Sequence, residues 1–285
     1  MACADTDFAF LRSVVLEQSS NALDASRDYL FESRLNPLLE ATGLQTLDRL
    51  VAFLRQHPDP SIKRSIAEAM TVNETSFFRD RAPFDLMRCD LLPALIRQRA
   101  SVRHLRLWSA ACSTGQEAYS LAMMLREGLP ELRGWKIEIV GTDIAAHVVR
   151  RAQQGRYQRL EVSRGLPAQY LVKYFRRTGS EWEVIPELRR ICRFHHRNLC
   201  NTPMLVEKYD GILLRNVLLY FPAEMRRVLL LNLHRVLAPD GFLILGSSEQ
   251  PELSGHFMPV LARDTCYYKP ITQQPTEAST RGSAS

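Results

Sequence analysis

The chain has 285 residues, of which 46% are hydrophobic and 24% are charged, a composition typical of a soluble globular protein with one large or two modest domains. No stretch approaches the ~18 apolar residues that cross a bilayer, and the N-terminus lacks the basic segment and apolar run of a secretory signal, so we expect a cytoplasmic protein. The net charge is +6, with 8 basic and 12 acidic side chains in residues 1–80 but 11 basic and 4 acidic ones in residues 151–200.

Residues 1–80 are predicted to form a small helical domain and linker without strands. Apolar residues recur three and four positions apart, which is the spacing of helices that bury one face. Gly43 and the run His57-Pro58-Asp59-Pro60 separate the helices. The apolar stripes are Leu11, Val14 and Val15; Phe31, Leu35, Leu38 and Leu39; Leu47, Leu50, Val51 and Leu54; and Ile62, Ile66, Ala69 and Met70.

From about residue 100 the pattern changes to short apolar strands that alternate with helices. This alternation is typical of an α/β fold with a mostly parallel sheet and crossover helices. We expect this domain to cover residues 81–270. The expected strands are 104–110, 136–142, 210–214 and 242–247, and the expected helices start near 116 and 144 and cover about 223–237.

A less regular segment, residues 156–197, is predicted to be an insertion with its own small antiparallel unit. It contains a short helix at 167–175 and two strand-like pieces, 181–185 and 191–196. The segment carries most of the basic excess, which favours an acidic partner, although a solvated face that serves solubility explains the charge equally well. The polar tail 271–285 is predicted to be disordered.

Several segments follow buried strands at the carboxyl edge of the expected sheet, where doubly wound folds bind ligands. Residues 108–117 form a turn of small residues with a single glycine, so a GxGxxG phosphate cradle is poorly supported. Asp143 ends the second strand, where an acid can accept hydrogen bonds from a ribose diol, and a helix-capping role is the alternative. Arg215 and Asn216 follow a later strand and are expected beside the same pocket.

The segment 71–80 connects the helical domain to the sheet. Its side chains Asn73, Thr75 and Arg79 can cover the pocket from outside. The alternative is a capped linker, in which Thr71 or Asn73 caps the helix that follows. Pattern alone favours the capped linker.

Together these segments resemble the chemotaxis receptor methyltransferase family, usually called CheR, over roughly residues 10–270. The resemblance implies a Rossmann-like S-adenosylmethionine-dependent methyltransferase sheet with a small N-terminal all-helical domain and a small antiparallel β insertion. It also overturns the preference for a capped linker. The matching segments are NETSFFRD (73–80), WSAACSTGQEAYSLAM (108–123), GTDI (141–144), GRY (155–157), NL (198–199), LRNVLLYF (214–221) and LAPDGFLILGSSE (237–249).

The resemblance implies that the pocket binds S-adenosyl-L-methionine and that the product of the reaction is S-adenosyl-L-homocysteine. Glu117 and Asp143 then hold the amino-acid and ribose parts, in an order that stays open. Cys112 and Ala118 depart from common family residues without removing a hydrogen-bonding group. The implied cofactor-binding residues are Asn73, Thr75, Arg79, Glu117, Asp143, Asn198, Leu199, Arg215 and Asn216, with Asn198 and Leu199 near the adenine.

The implied reaction transfers a methyl group to glutamate side chains of chemoreceptors and forms glutamate 5-O-methyl esters in chemotaxis adaptation. A glutamate titrates near pH ~4.3 and is already ionised, so the reaction needs no strong base. A water-poor site that aligns the reacting atoms supplies most of the acceleration. Tyr220, which the family places close to the transferred methyl, is therefore expected to position rather than to act as a base.

The implied partner is the cytoplasmic helical domain of methyl-accepting chemotaxis receptors. We expect a monomer that neither inserts into a membrane nor binds nucleic acid. Part of the family binds a receptor C-terminal pentapeptide through an extended glycine-containing loop of the insertion, and the short loop 176–181 predicts independence of that peptide. Basic residues of the first domain that could contact the receptor are Arg27, Arg34, Arg55, Lys63 and Arg64.

Other classes of function fit the sequence less well. The single turn glycine argues against a nicotinamide-dependent oxidoreductase. A nucleic-acid methyltransferase suits a pI of 9.1, but LRNVLLYF contains neither an Asn/Asp-Pro-Pro-aromatic signature nor a cysteine. A cofactor-binding adaptor without activity is the alternative that the sequence excludes least.

No metal site is expected. His195 and His196, with Cys192 and Cys200 nearby, fit no standard zinc spacing, and adjacent residues of a strand point to opposite faces. The six cysteines show no CxxC spacing and are expected to be reduced thiols.

Overall fold

A computed structural model describes residues 5–201, 208–251 and 255–271. The helices are α1 (Asp5–Ser19), α2 (Tyr29–Arg34), α3 (Asn36–Thr42), α4 (Leu47–Gln56), α5 (Pro60–Ala69), α6 (Arg81–Leu86), α7 (Leu92–Gln98), α8 (Gln116–Gly128), α9 (Ala146–Gln154), α10 (Arg159–Ser163), α11 (Ala168–Tyr174), α12 (Pro186–Arg189) and α13 (Ala223–Val236). The strands are β1 (His104–Ala110), β2 (Lys136–Asp143), β3 (Arg156–Gln158), β4 (Phe175–Thr178), β5 (Glu181–Val184), β6 (Cys192–His196), β7 (Tyr209–Leu214), β8 (Leu237–Leu245), β9 (Phe257–Ala262) and β10 (Thr265–Pro270).

Helices α1 to α5 pack around a hydrophobic cluster of their own, as predicted. The four apolar residues predicted to face the core from α4 are all buried. Helix α5 begins at Pro60, whose missing N–H is not needed in a first turn, and the Asp59 side chain caps it by accepting the N–H of Ser61 at 2.7 Å. The stripe at 31–39 is divided between α2 and α3, because Pro37 has no N–H with which to continue one helix.

The central sheet has seven strands in the order β6-β2-β1-β7-β8-β10-β9. Strands β6, β2, β1, β7 and β8 are parallel, whereas β10 is antiparallel to both β8 and β9. The chain passes from β1 outward to β2 and β6, then crosses to β7 on the other side of β1. This reversal opens a crevice beyond the carboxyl ends of β1 and β7. The mixed sheet and the all-helical N-terminal part confirm the predicted fold class.

The second sheet is small and antiparallel, with the order β3-β5-β4. The prediction that the strand at 191–196 belongs to this unit is wrong, because β6 pairs parallel with β2 and places His195 beside Thr142. Buried Cys192 and Phe194 alternate with exposed Arg193 and His195 along β6. Such alternation fits the edge of either sheet, so it does not reveal the partner strand.

Two further strands, β9 and β10, escaped prediction. They form an antiparallel pair at one edge of the large sheet, and most of their residues are exposed or only partly buried. The predicted disordered tail lies, from residue 272 onward, outside the described residues. Within the described ranges, no helix is both long and apolar enough to cross a membrane.

The linker between the two parts is fixed by aromatic packing. The Phe77 ring meets the Tyr157 ring of β3 at 5.0 Å and the Phe175 ring of β4 at 5.5 Å, both nearly perpendicular. The Tyr157 hydroxyl donates a hydrogen bond to the carbonyl of Thr114 at 2.7 Å. The linker, the small sheet and the turn after β1 are thereby held together around the crevice.

Candidate functional site

A cavity of about 1000 Å³, counted with the space at its open mouth, lies beyond the carboxyl ends of β1, β2, β6 and β7. The chain segments that follow these strands form its floor, and the linker at 71–79 covers one side. It coincides with the crevice where the strand order reverses, which is the ligand position of doubly wound folds.

All ten residues that the sequence singled out line this one cavity. They come from the linker, from helix α8, from the end of β2 and from the segments after β6 and β7. The structure therefore brings them together, and their contacts with a ligand stay a prediction. They are Asn73, Thr75, Arg79, Glu117, Asp143, Asn198, Leu199, Arg215, Asn216 and Tyr220.

A buried guanidinium organises one wall of the cavity. Arg215, with a side chain only 3% exposed, donates hydrogen bonds to Glu117 Oε2 at 3.0 Å, Asp80 Oδ2 at 2.8 Å and the carbonyl of Arg79 at 2.9 Å. Ser109 Oγ donates to the other oxygen of Glu117 at 2.7 Å. Arg215 Nε, in contrast, has no partner among the described residues. The wall thus presents a fixed carboxylate and a guanidinium with unused donor capacity.

Asp143 is a buried carboxylate at the tip of β2. Its Oδ2 accepts the N–H of Ser113 at 2.8 Å and its Oδ1 accepts the N–H of Ala145 at 3.0 Å. Burial raises the pKa of Asp143, and the hydrogen bonds from Ala145 and Ser113 offset only part of this effect. Asp143 does not cap α9, because the N-cap residue of that helix is Ala145 and has no side-chain capping bond. Ligand binding by Asp143, which lines the cavity, stays a prediction.

The turn between β1 and α8 has an unusual backbone. Ala111 and Ser113 both have left-handed φ angles, of 59° and 50°, without being glycine, a conformation that concentrates at functional sites. Gly115 has a φ of 92°, and a Cβ there would lie 2.9 Å from the Ala152 Cβ, so only glycine fits. The Ser113 hydroxyl donates to the carbonyl of Asn73 at 2.7 Å and binds the turn to the linker.

The linker does not cap a following helix. Thr71 Oγ1 donates its hydrogen to the Glu68 carbonyl behind it at 2.7 Å and lies 3.2 Å from Asn73 Oδ1. Helix α6 begins only at Arg81, and Asp80 before it makes no side-chain capping bond. The segment instead has no regular secondary structure and lines the cavity.

The helical part contributes cavity residues that sequence reasoning missed, notably Ser19 at the end of α1 and Asn21 just after it. Asn21 is buried, and its Oδ1 has no partner within the described part of the chain. Nearby, Asn198 Nδ2 donates to the Gln18 carbonyl at 2.8 Å, and the Ala22 N–H donates to the Tyr220 carbonyl at 2.9 Å. No periodic or motif signal marks Ser19 and Asn21, because only the packing of the two parts brings them to the cavity.

Cys112 is buried, and His196 is engaged in protein contacts. Burial, with the Asp143 carboxylate nearby, raises the pKa of the cavity residue Cys112, so its thiol stays neutral and weakly nucleophilic. His196 Nε2 lies 2.7 Å from the Ile144 carbonyl and 3.2 Å from Glu68. Among the residues that the structure describes, no three His, Cys, Asp or Glu side chains are grouped to hold a metal ion.

Comparison with known proteins decides the family. The family model described as "CheR methyltransferase, SAM binding domain" matches residues 73–263, and "CheR methyltransferase, all-alpha domain" matches residues 6–71. The chain belongs to the CheR methyltransferase family. Its members are S-adenosylmethionine-dependent, and the matched boundary at 71–73 falls in the linker over the cavity.

Similar family members come from several bacteria. Chemotaxis protein methyltransferase 1 of Pseudomonas aeruginosa is 38% identical over 254 residues, covering 87% of this chain and 92% of its own length. A chemotaxis protein methyltransferase of Pseudomonas putida is 36% identical over the same length and coverage. A TehB-like methyltransferase structure from Corynebacterium glutamicum has a TM-score of 0.37 and 12% identity, covering 63% of this chain and 96% of its own.

The cavity residues fit the family's cofactor in charge and shape. S-adenosylmethionine carries a carboxylate, an ammonium, a sulfonium and a ribose diol. The Arg215 guanidinium, which belongs to the cavity lining, suits the anionic end in charge, and the carboxylates of Glu117 and Asp143 suit groups that donate hydrogen bonds or carry positive charge. The left-handed turn at Ala111 and Ser113 lets a ligand approach the backbone.

We expect binding of S-adenosyl-L-homocysteine to weaken as pH falls through the raised pKa of Asp143. The ribose diol and the ammonium group of the ligand both donate hydrogen bonds, so protonation of Asp143 removes an acceptor whichever of them it holds, with about a tenfold loss per pH unit below that pKa. For the free protein, Asp143 favours folding fully below its ordinary pKa of 3.8, and this contribution is lost as pH rises through the raised value. Calorimetric titrations from the ordinary pKa of 3.8 up to neutral pH test the prediction, and an equal pH dependence in Asp143→Asn would contradict it.

Proposed function

We propose that the protein transfers the methyl group of S-adenosyl-L-methionine to glutamate side chains of methyl-accepting chemotaxis receptors, forming glutamate 5-O-methyl esters. The observation that supports this most strongly is the convergence of all ten motif residues on one cavity. The similar proteins of Pseudomonas carry the name chemotaxis protein methyltransferase. We propose that the enzyme works in the cytoplasm as a monomer, with residues 1–80 for receptor recognition and residues 81–270 for methyl transfer.

The chain's own contribution to the reaction is binding and orientation. When bound, S-adenosyl-L-methionine supplies a methyl group on a positively charged sulfur, which an ionised carboxylate accepts by direct displacement. Arg215, Glu117 and Asp143 hold the polar ends of the cofactor, and Tyr220 orients the incoming carboxylate. Half-buried Tyr220 is held through its backbone, because its N–H donates to the Val217 carbonyl and its carbonyl accepts from Ala22. No cavity group has to accept a proton, because the substrate glutamate is already ionised.

Receptor recognition by the helical part rests on fewer basic residues than the sequence suggested. Arg34 is half-buried and donates to the Thr71 carbonyl at 3.0 Å. Lys63 pairs with Glu17, and Arg55 pairs with Asp7. The exposed side chains of Arg27 and Arg64 are therefore the stronger candidates for contact with an acidic receptor helix.

We further infer that the enzyme does not depend on a receptor C-terminal pentapeptide. Strands β4 and β5 pair up to Thr178 and Glu181, so the hairpin turn consists of Gly179 and Ser180 alone. A two-residue turn offers no extended loop to hold a peptide. We expect receptors with and without their last five residues to be methylated at equal rates, and micromolar calorimetric binding of such a peptide, absent for a scrambled one, would contradict this inference.

A labelling assay tests the main proposal. The protein is incubated with methyl-labelled S-adenosyl-L-methionine and receptor membranes, then treated with mild alkali. Carboxyl methyl esters release volatile labelled methanol, whereas methylated amines and bases do not. We expect labelled methanol with intact receptors and none with receptors whose methylation-site glutamates are replaced by alanine.

The same assay distinguishes an active methyltransferase from the main alternative, a cofactor-binding adaptor without activity. A protein that binds S-adenosyl-L-homocysteine in calorimetry but releases no methanol from several receptors would be a cofactor-binding adaptor. Asp143→Asn serves as the internal control, because it leaves the surface unchanged while weakening the cofactor site.

A further inference from the structure

The segment after β7 is the least regular part of the cavity wall. Asn216 has a left-handed φ of 59°, and a turn of 3₁₀ helix, Leu218–Tyr220, follows at once. Such a conformation is uncommon for a residue other than glycine, although asparagine tolerates it best. Something outside the segment must hold it in this shape.

A single carboxylate meets three backbone N–H groups at this point. Glu249 Oε2 accepts the N–H of Asn216 at 2.8 Å and of Gly246 at 2.8 Å, and its Oε1 accepts the N–H of Leu218 at 2.7 Å. Glu249 is only 7% exposed. It belongs to the segment 237–249, which is one of the segments that carry the family resemblance. It is not among the residues that line the cavity.

The support behind Glu249 is itself rigid. Its N–H donates to the Gly246 carbonyl at 2.9 Å, which closes a turn directly after β8. A Cβ on Gly246 would lie 2.7 Å from Glu249 Oε2 and 2.9 Å from the Asn216 nitrogen. Glycine is therefore needed for the close approach of the two segments.

We propose that Glu249 is a positioning residue for methyl transfer, because its carboxylate holds the backbone of Asn216 and Leu218 and thereby sets the place of Tyr220. The inference rests on the proposed function. Leu218 begins the turn that carries Tyr220, since the Phe221 N–H donates to the Leu218 carbonyl at 3.0 Å. An ionised carboxylate only accepts hydrogen bonds and matches three donors, whereas an amide turns a donor toward one of them.

Glu249→Gln tests the proposal. We expect kcat to fall by up to about 10²-fold, because a small displacement of a positioning group has this effect, while KM for S-adenosyl-L-methionine changes much less. Amide hydrogen exchange at Asn216 and Leu218 should accelerate in parallel. Asp210→Asn is the matched control, since Asp210 is equally buried, accepts the Arg106 N–H at 2.8 Å and lies at the opposite end of β7. It should lose stability but retain kcat.

A second variant tests the proposal in case Glu249→Gln does not fold. Gly246→Ala keeps the carboxylate but separates it from Asn216, so it should also lower kcat and accelerate exchange. Wild-type kcat in either folded variant, despite faster exchange, would overturn the proposal. A wild-type enzyme that methylates no receptor would instead overturn the proposed function, so the two failures are distinguishable.

Discussion

Replacement of Arg215 by methionine is expected to destabilise the protein by about 3 kcal/mol, because removal of one partner of a buried ion pair leaves the other uncompensated. Glu117 would keep only its bond from Ser109 inside the wall of the cavity. The expected loss lies at the lower end of the range for buried pairs, because the Asp80 carboxylate is 46% exposed and regains water. Urea denaturation measures this effect.

The same replacement should also remove most of the binding of S-adenosyl-L-homocysteine, because Arg215 lines the cavity and its guanidinium fixes the Glu117 carboxylate there. Arg99→Met is the matched control. Arg99 pairs with Asp210 and Asp240 at the opposite end of the sheet, so its loss should reduce stability without reducing affinity. Unchanged affinity in Arg215→Met would contradict the assignment of this side chain to the cofactor site.

Replacement of Asp143 by asparagine should reduce cofactor affinity strongly but change stability little. We expect S-adenosyl-L-homocysteine to bind about 10²-fold more weakly at pH 7, since hydrogen bonds to a charged group contribute about 1.5–3 kcal/mol each. The unfolding free energy should stay within about 1 kcal/mol of wild type, because the amide loses one of two backbone hydrogen bonds but no longer buries a charge.

Calorimetry and urea denaturation on the same samples measure both halves of this prediction. Asp210→Asn should show the reverse pattern, with lower stability because Arg99 loses a partner, and with normal affinity. A large stability loss in Asp143→Asn, with normal affinity, would mean that Asp143 only supports the fold. We therefore expect Arg215 to contribute to both stability and cofactor affinity. Asp143 should contribute to affinity alone, because its buried charge does not stabilise the fold.

Much of the large sheet follows from local sequence pattern. Strand β1 covers the predicted range 104–110 and α8 begins at Gln116, near the predicted start, because short apolar strands that alternate with helices carry a local signal. The site residues were predictable for a related reason. Residues directly after buried strands lie at one edge of a parallel sheet wherever the strands come in the sequence, so Asp143 and Arg215 were expected beside one pocket.

The parts that sequence reasoning missed depend on pairing between distant segments. Strand β6 has the alternation of an edge strand, and only its contact with β2 shows which sheet it joins. Strands β3 and β4 are short and largely exposed, so they carry little apolar signal. Asn21 reaches the cavity because of how the helical part packs against Asn198 and Tyr220.

The sequence by itself determined the family, the α/β class and the set of polar residues at the strand ends. Each of these depends on local periodicity and short motifs. Only the tertiary structure decided which charged side chains form ion pairs and which hydrogen bonds each of them makes. The Arg215 bonds to Glu117 and Asp80, the burial that raises the pKa of Asp143, and the three N–H groups on Glu249 all join segments far apart in the chain. The physical reason is that desolvation and hydrogen-bond geometry depend on neighbours in space, which no local pattern records.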